Sequence, residues 1–421
     1  MKFFFPDSQD LVDPSFDFER ERRSTTRKRQ RDDLYAHEIF STTPFDGFLV
    51  SKGIVDGYAA LGSRYTLAQR HRLLRLGAPE FFRLENATKK LTIMGDCGAF
   101  TYVKEAVPPY SIEEVLEFYG GCRFDYGISL DHVILLFKPE ADLRSFDKDL
   151  VPPEVRARRS LTLDLAEGFL RKHKAGRYTF EPMGVAQGWS PLSYADSVKS
   201  LQKMGYRFIA LGGMVPLKTP ELLLCLAAIN EVRKPGIQLH LLGISRTEHL
   251  KAFARLGITS CDSTSPLRQA FKDDKDNYYT PTRNYTAIRI PQVEGNPGLQ
   301  RKISSGEVSQ DTARKLEKAC LEEMKLFEEG RKSVDQVLAV LMEYERLYDP
   351  DSKKSHEDAY RLTLADAPWR KCRCEVCREL RYHVVLFRGA ERNRRRGFHN
   401  IWTFYQQLES QIGQGKKGSA A

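Results

Sequence analysis

One pattern recurs from residue 1 to about 262 of this chain: a short apolar run, a polar or glycine-containing end, then a longer amphipathic stretch. The runs are Lys2–Phe5, Asp46–Val50, Leu91–Met94, Phe124–Ser129, Tyr178–Ala186, Arg207–Leu211, Gln238–Leu242 and Ile258–Ser260. Short apolar runs bounded by turn formers read as buried strands. The intervals hold helical patterns, among them Ser111–Tyr119, Tyr194–Met204, Glu221–Val232 and Thr247–Leu256. Eight alternations of strand and helix predict an α/β fold, a (β/α)8 TIM barrel. The connections 57–90 and 132–177 are longer than one helix needs and predict extra segments. A chain of 421 residues has room for a barrel of roughly 250 residues and an appended region.

A parallel barrel carries its chemistry at the C-terminal ends of its strands, where the loops surround the mouth. Asp96, Asp131, Gln187, Gly212-Gly213, Gly243 and Asp262 stand there. Any one of them could be a loop cap or turn residue. Three carboxylates and an amide converging from four strands are harder to dismiss. His132, next to Asp131, reads as a structural or orienting residue rather than a proton carrier.

From about residue 300 to 368 the pattern is helical and highly charged, with Val308–Glu329 and Ser333–Tyr348 as the long segments. Cys372-Arg-Cys374-Glu-Val-Cys377 and His399-Asn400 follow. Three thiols and an imidazole supply the four ligands of a structural Zn²⁺ site, and such a site leaves no open position for water. His383 competes for the fourth place; the His399-Asn400 context favours His399. The expected organisation is a barrel over 1–290, a helical insertion over 291–368 and a zinc-binding subdomain with a closing helix over 369–421.

The formal net charge is +10, unevenly placed. Residues 369–399 hold ten Lys/Arg and three Glu, a local net of +7, and residues 20–31 form a second basic run. Arg392, Arg394, Arg395 and Arg396 lie between the third cysteine and His399, so a metal would hold them in place. They are expected to face nucleic-acid phosphate. No apolar run approaches the ~20 residues that span a membrane, and Phe3–Phe5 is too short for a signal peptide's apolar region. Cys97, Cys122, Cys225, Cys261 and Cys320 are scattered, which points to reduced thiols in a cytosol.

These residues also carry a resemblance. Asp96-Cys-Gly-Ala-Phe100 resembles the Asp-Ser-Gly-Gly-Phe motif of the tRNA-guanine transglycosylase superfamily. Gly184-Val-Ala-Gln187-Gly188 resembles its Gly-Ile-Val-Gln-Gly segment, Ala210-Leu-Gly212-Gly213-Met its Ile-Gly-Gly-Leu, and Leu241-Leu-Gly243-Ile its Met-Gly-Val. Cys261-Asp262-Ser-Thr-Ser-Pro266-Leu-Arg268 is similar to Phe-Asp-Cys-Val-x-Pro-Thr-Arg. The cysteine spacing, His399 and the aromatic stretch Ile401–Leu408 resemble the family's zinc subdomain. The segment around Asp131, Gly-Ala in the first motif, the N-terminal Phe-Pro-Asp-Ser-Gln-Asp and the acidic loop Lys272–Asp276 resemble the DNA-modifying branch instead of the tRNA enzymes. No RNA-binding module is expected after the zinc region.

The resemblance implies exchange of guanine in DNA for a 7-deazaguanine base, 7-cyano-7-deazaguanine, through a covalent aspartyl-glycosyl intermediate. It implies Asp262 as nucleophile and Asp96 as general acid/base. Phe100 and Leu242 would sandwich the base, while Asp131, Gln187, Gly212 and Gly213 would bind its edge. Cys97 stands where the family often has serine, which weakens that contact. Arg268 joins the candidate nucleic-acid contacts. Structural zinc, an ATPase helper protein, a homodimer and a bacterial or phage-infected cytoplasm complete the expectation. The alternatives are a tRNA-guanine transglycosylase and a non-catalytic zinc-binding partner subunit; the presence of both Asp96 and Asp262 argues against the latter.

Overall fold

The computed structural model describes residues 1–57, 64–142, 150–272, 275–349 and 355–417. Asp273 and Asp274, in the acidic loop singled out above, lie outside the described residues. The chain divides into two compact units. The first comprises Met1–Gln9, Phe45–Thr264 and Gln407–Ala421, and the second Asp10–Pro44 and Ser265–Gln406. The first unit thus takes in the chain from Phe45 to Thr264 and regains it at Gln407, while Asp10–Pro44 belongs to the second.

The first unit is a closed barrel of eight parallel strands in sequential order. They are β1 (Lys2–Pro6), β2 (Gly47–Ser51), β3 (Thr92–Asp96), β4 (Tyr126–Ile128), β5 (Glu181–Ala186), β6 (Phe208–Leu211), β7 (Gln238–Leu241) and β8 (Ile258–Asp262). Closure comes from β1 pairing with β8, with Phe4 opposite Asp262. Side chains alternate along each strand, so every second residue enters the lumen. Phe4, Leu49, Met94, Ile128, Met183, Val185, Phe208 and Ala210 form that buried interior, and Leu242 packs against it.

The crossover helices begin where the sequence caps them. Ser111 caps Ile112–Gly121 in a capping box with Glu114, and Ser190 caps Pro191–Met204, with proline at its start. The long 132–177 connection contains a 23-residue helix, Pro153–Ala175. The 57–90 connection contains Leu67–Leu76 and Ala78–Phe81. The second unit holds the helices Gln310–Glu328 and Val334–Tyr348, close to the predicted segments. A final helix runs from Gly389 to Lys417. Among the described residues no helix is long and apolar enough to cross a membrane.

Candidate active site and metal centre

The mouth of the barrel gathers the carboxylates. Asp96 is the last residue of β3, Asp262 the last of β8, and Asp131 lies three residues past β4. Asp96 accepts a hydrogen bond from the Gly98 N–H at 3.0 Å. Close packing around its carboxyl, then the charges of Asp131 and Asp262, raise its pKa to about 7. Burial raises Asp131 to about 6, opposed by hydrogen bonds from Gln187 and Cys97. Like charges in a poorly solvated site favour the neutral acid. The mouth therefore favours holding a proton on Asp96 more than on Asp131.

Asp131 is held at both oxygens. The Gln187 Nε2 donates to Oδ2 at 2.7 Å, and the Cys97 thiol donates to Oδ1 at 3.2 Å. Burial, reinforced by the charges of Asp131 and Asp96, keeps Cys97 a thiol. The Tyr102 hydroxyl donates to the Cys97 sulfur at 3.0 Å. The thiol is thus one member of a chain that fixes Asp131. The Ile134 N–H donates to Gln187 Oε1 at 3.2 Å, which sets the amide's direction. Gly212 and Gly213 lie against this amide. A Cβ on Gly212 would stand 2.3 Å from Gln187 Nε2, and one on Gly213 would stand 2.5 Å from the Ile134 carbonyl. Gly213 also has φ +74°, where side chains are strained.

Phe100, on the turn Ala99–Tyr102, is 50 % exposed. Leu242 follows β7 and is partly buried. His132 is fully buried, and its Nε2 lies 2.7 Å from the Glu105 carbonyl oxygen. Burial lowers its pKa, so the ring works as a neutral brace between loops.

His240, in the centre of β7, was not among the sequence candidates. It is fully buried. Its Nε2 is 3.2 Å from Asp262 Oδ1, and its Nδ1 is 2.8 Å from the Ser260 hydroxyl. The Gly243 N–H donates to the same Asp262 oxygen at 2.8 Å. Strand alternation was the available signal: His240 enters the lumen two positions before Leu242, in register with Ser260.

In the second unit, Cys372, Cys374, Cys377 and His399 offer four ligand atoms all within 4.8 Å of one another. His399 Nδ1 is 3.6, 3.4 and 3.3 Å from the three sulfurs in that order. A tetrahedral ion bound at about 2.3 Å to sulfur and about 2.0 Å to nitrogen would separate N and S by about 3.5 Å. The donor set fits a metal ion. His399 Nε2 donates to the Tyr279 carbonyl at 2.8 Å, which leaves the Nδ1 lone pair facing the thiols. The Tyr278 ring stacks on the imidazole at 4.2 Å. His383 lies elsewhere, 3.2 Å from Glu19.

Three of the four arginines before His399 are buried and do not form a phosphate surface. Arg392, Arg395 and Arg396 are at most 2 % exposed. Arg392 pairs with Glu21 and donates to the Phe18 carbonyl. Arg395 donates to the Asp13 carbonyl at 2.7 Å and reaches Glu379 at 3.3 Å. Arg396 donates to the carbonyls of Val384, Leu386 and Ala270 and to the Asn393 side chain. Arg394 is partly buried, with Asp10 at 3.6 Å and Glu391 at 3.8 Å. Arg392, Arg395 and Arg396 hold the second unit together, which corrects the expectation that these three face phosphate. A charge run predicts solvation only when the chain offers no carboxylates and carbonyls to receive it. Arg268 is exposed.

A closed parallel barrel with clustered mouth carboxylates and a Cys3His centre is the arrangement expected of a base-exchanging transglycosylase. No protein-family model matches the chain. A curated relative from Salmonella montevideo, named DNA-guanine transglycosylase, is 50% identical over 412 residues, covering 97% of each chain. The chain belongs to that family of transglycosylases, and it is an enzyme of the pentosyl-transferring type.

Proposed function

We propose that this protein exchanges guanine in DNA for 7-cyano-7-deazaguanine, with Asp262 as nucleophile and Asp96 as general acid and base. The observation that carries the reading is the gathering of Asp96, Asp131 and Asp262 at the strand ends, where burial and the neighbouring charges hold the Asp96 carboxyl well above its usual range. A group that must first give a proton and then take one works best near the operating pH. Preference for DNA rests on the relative's name and its 50% identity.

In the first half, an Asp262 oxygen attacks the sugar C1′ as the C1′–N9 bond breaks. The bond's electron pair leaves on N9, and neutral Asp96 supplies the proton that lets guanine depart. In the second half, the Asp96 carboxylate takes the N9 proton of the incoming base. That nitrogen attacks C1′, and the electron pair of the ester bond returns to Asp262. Charged Asp131 accepts from the base edge, with Gln187 beside it. Phe100 and Leu242 cover the base faces, and the bare backbone at Gly212-Gly213 admits the base closely. A target in a duplex must first leave the stack, at a cost of a few kcal/mol. Zinc is the ion suited to the Cys3His set, and with four protein ligands it serves the fold alone. The setting is the cytoplasm of a bacterial or phage-infected cell.

The test supplies labelled guanine or 7-cyano-7-deazaguanine with duplex DNA, single-stranded DNA or tRNA. Label entering DNA, lost in Asp262→Ala, is the expected result. Label entering tRNA alone would replace DNA with tRNA. Wild type that labels no polymer, with or without ATP and cell extract, would remove the exchange reading.

A further inference from the structure

We propose that His240 is a positioning residue that selects Asp262 Oδ2 as the attacking oxygen and stabilises Oδ1 when the ester breaks. The proposal rests on Asp262 being the nucleophile and goes beyond it by assigning different work to its two oxygens.

Both hydrogen bonds made by this carboxylate fall on Oδ1, from His240 Nε2 at 3.2 Å and from the Gly243 N–H at 2.8 Å. Oδ2 takes none among the described residues. Oδ1 already accepts from the Gly243 N–H, so His240 meets it with Nε2–H, while Nδ1 lies 2.8 Å from the Ser260 hydroxyl. The imidazole cannot drift from that task. It is fully buried and meets the Phe4 and Phe208 rings edge-on, with centroids 5.9 and 6.5 Å away. Its strand partner in register is Ser260, two residues before Asp262. The buried lumen cluster is drawn from β1 to β6, whereas β7 and β8 present His240, Ser260 and Asp262 on that face.

The division follows from the bonds formed and broken. Oδ2 makes the bond to C1′, so Oδ1 becomes the carbonyl oxygen of the ester. When the incoming nitrogen displaces the carboxylate, the C1′–Oδ2 electron pair returns and its charge spreads onto Oδ1. Two N–H groups already point there, so no reorganisation is needed at that moment. His240 therefore assists the second half most, where the carboxylate is the leaving group.

The deciding comparison uses wild type, His240→Phe and His240→Gln at equal folded concentration, checked by thermal melting. His240→Phe keeps a planar ring without the donor; His240→Gln restores an N–H near the Nε2 position. His240→Phe is expected to lower kcat about 10²-fold with little change in KM. The protein–DNA ester trapped by denaturant should accumulate above the wild-type level, because the second half slows. His240→Gln should recover much of the rate. A purely structural role would lower activity and melting temperature together without raising the ester. Full kcat in folded His240→Phe, or loss of kcat with no rise in trapped ester, would overturn the proposal while exchange by Asp262 stands. Wild type that neither exchanges label nor traps an ester would overturn both.

Discussion

Replacing Asp96 with asparagine tests the electrostatics of the mouth without assuming any reaction. Its folded pKa is about 7 against an ordinary 3.8, raised first by burial and then by Asp131 and Asp262. A raised acid binds its proton more tightly in the folded chain than in the unfolded one. Its stabilising contribution is complete below pH 3.8 and is lost as pH climbs to about 7. Moving from pH 5 to pH 8 crosses two pH units of that window, worth about 2.7 kcal/mol at about 1.36 kcal/mol per unit. Asp96 keeps a part-exposed edge, so solvent screening reduces this to about 1.5 kcal/mol. Asparagine cannot ionise and keeps the shape. Urea unfolding of both proteins should therefore show Asp96→Asn gaining about 1.5 kcal/mol on wild type between pH 5 and pH 8. An unchanged difference across that range would refute a raised Asp96 and with it the acid/base assignment.

Other perturbations separate scaffold from contact. Gly213→Ala forces a Cβ to 2.5 Å from the Ile134 carbonyl at φ +74°; it should cost about 1–3 kcal/mol and raise the KM for the free base at least several-fold. Cys374→Ser should lower bound metal, read by atomic emission, and reduce melting temperature by several degrees, while exchange per folded, metal-loaded molecule stays close to wild type. Arg396→Met should destabilise by about 3 kcal/mol, because the Val384, Leu386 and Ala270 carbonyls lose their donor. Arg268→Ala should leave stability within about 0.5 kcal/mol and lower the salt slope of DNA binding by about 1.

The barrel was legible because its period is simple. Each apolar run had to be a strand buried on both faces, and the intervals had the length of crossover helices. The strand ends follow within a few residues, as at Gln238–Leu241 and Phe208–Leu211. The unit boundaries were less legible. Local patterning does not reveal that Asp10–Pro44 packs with the metal-bearing unit, since ties such as Asp13 N–H to Glu391 at 3.1 Å join residues 378 apart.

The site shows the same split between what local patterns report and what only three-dimensional partners decide. Asp96, Asp131, Gln187 and Asp262 could be placed at the barrel mouth because strand ends in a barrel converge by topology alone. The arginines failed because exposure depends on the partner, and Glu21, Phe18 and Asp13 lie more than 360 residues before them in the chain. His240 was overlooked for the opposite reason. One histidine inside Gln-Leu-His-Leu looks like part of an apolar strand, and only its register against Ser260 gives it meaning. A single polar side chain at an inward strand position costs several kcal/mol if left unpaired. It is retained here with both ring nitrogens bonded, next to the carboxylate at the strand end. Had His240 served packing alone, a phenylalanine beside Phe4 and Phe208 would fill the lumen at no such cost. The donor on Asp262 is what distinguishes the two residues.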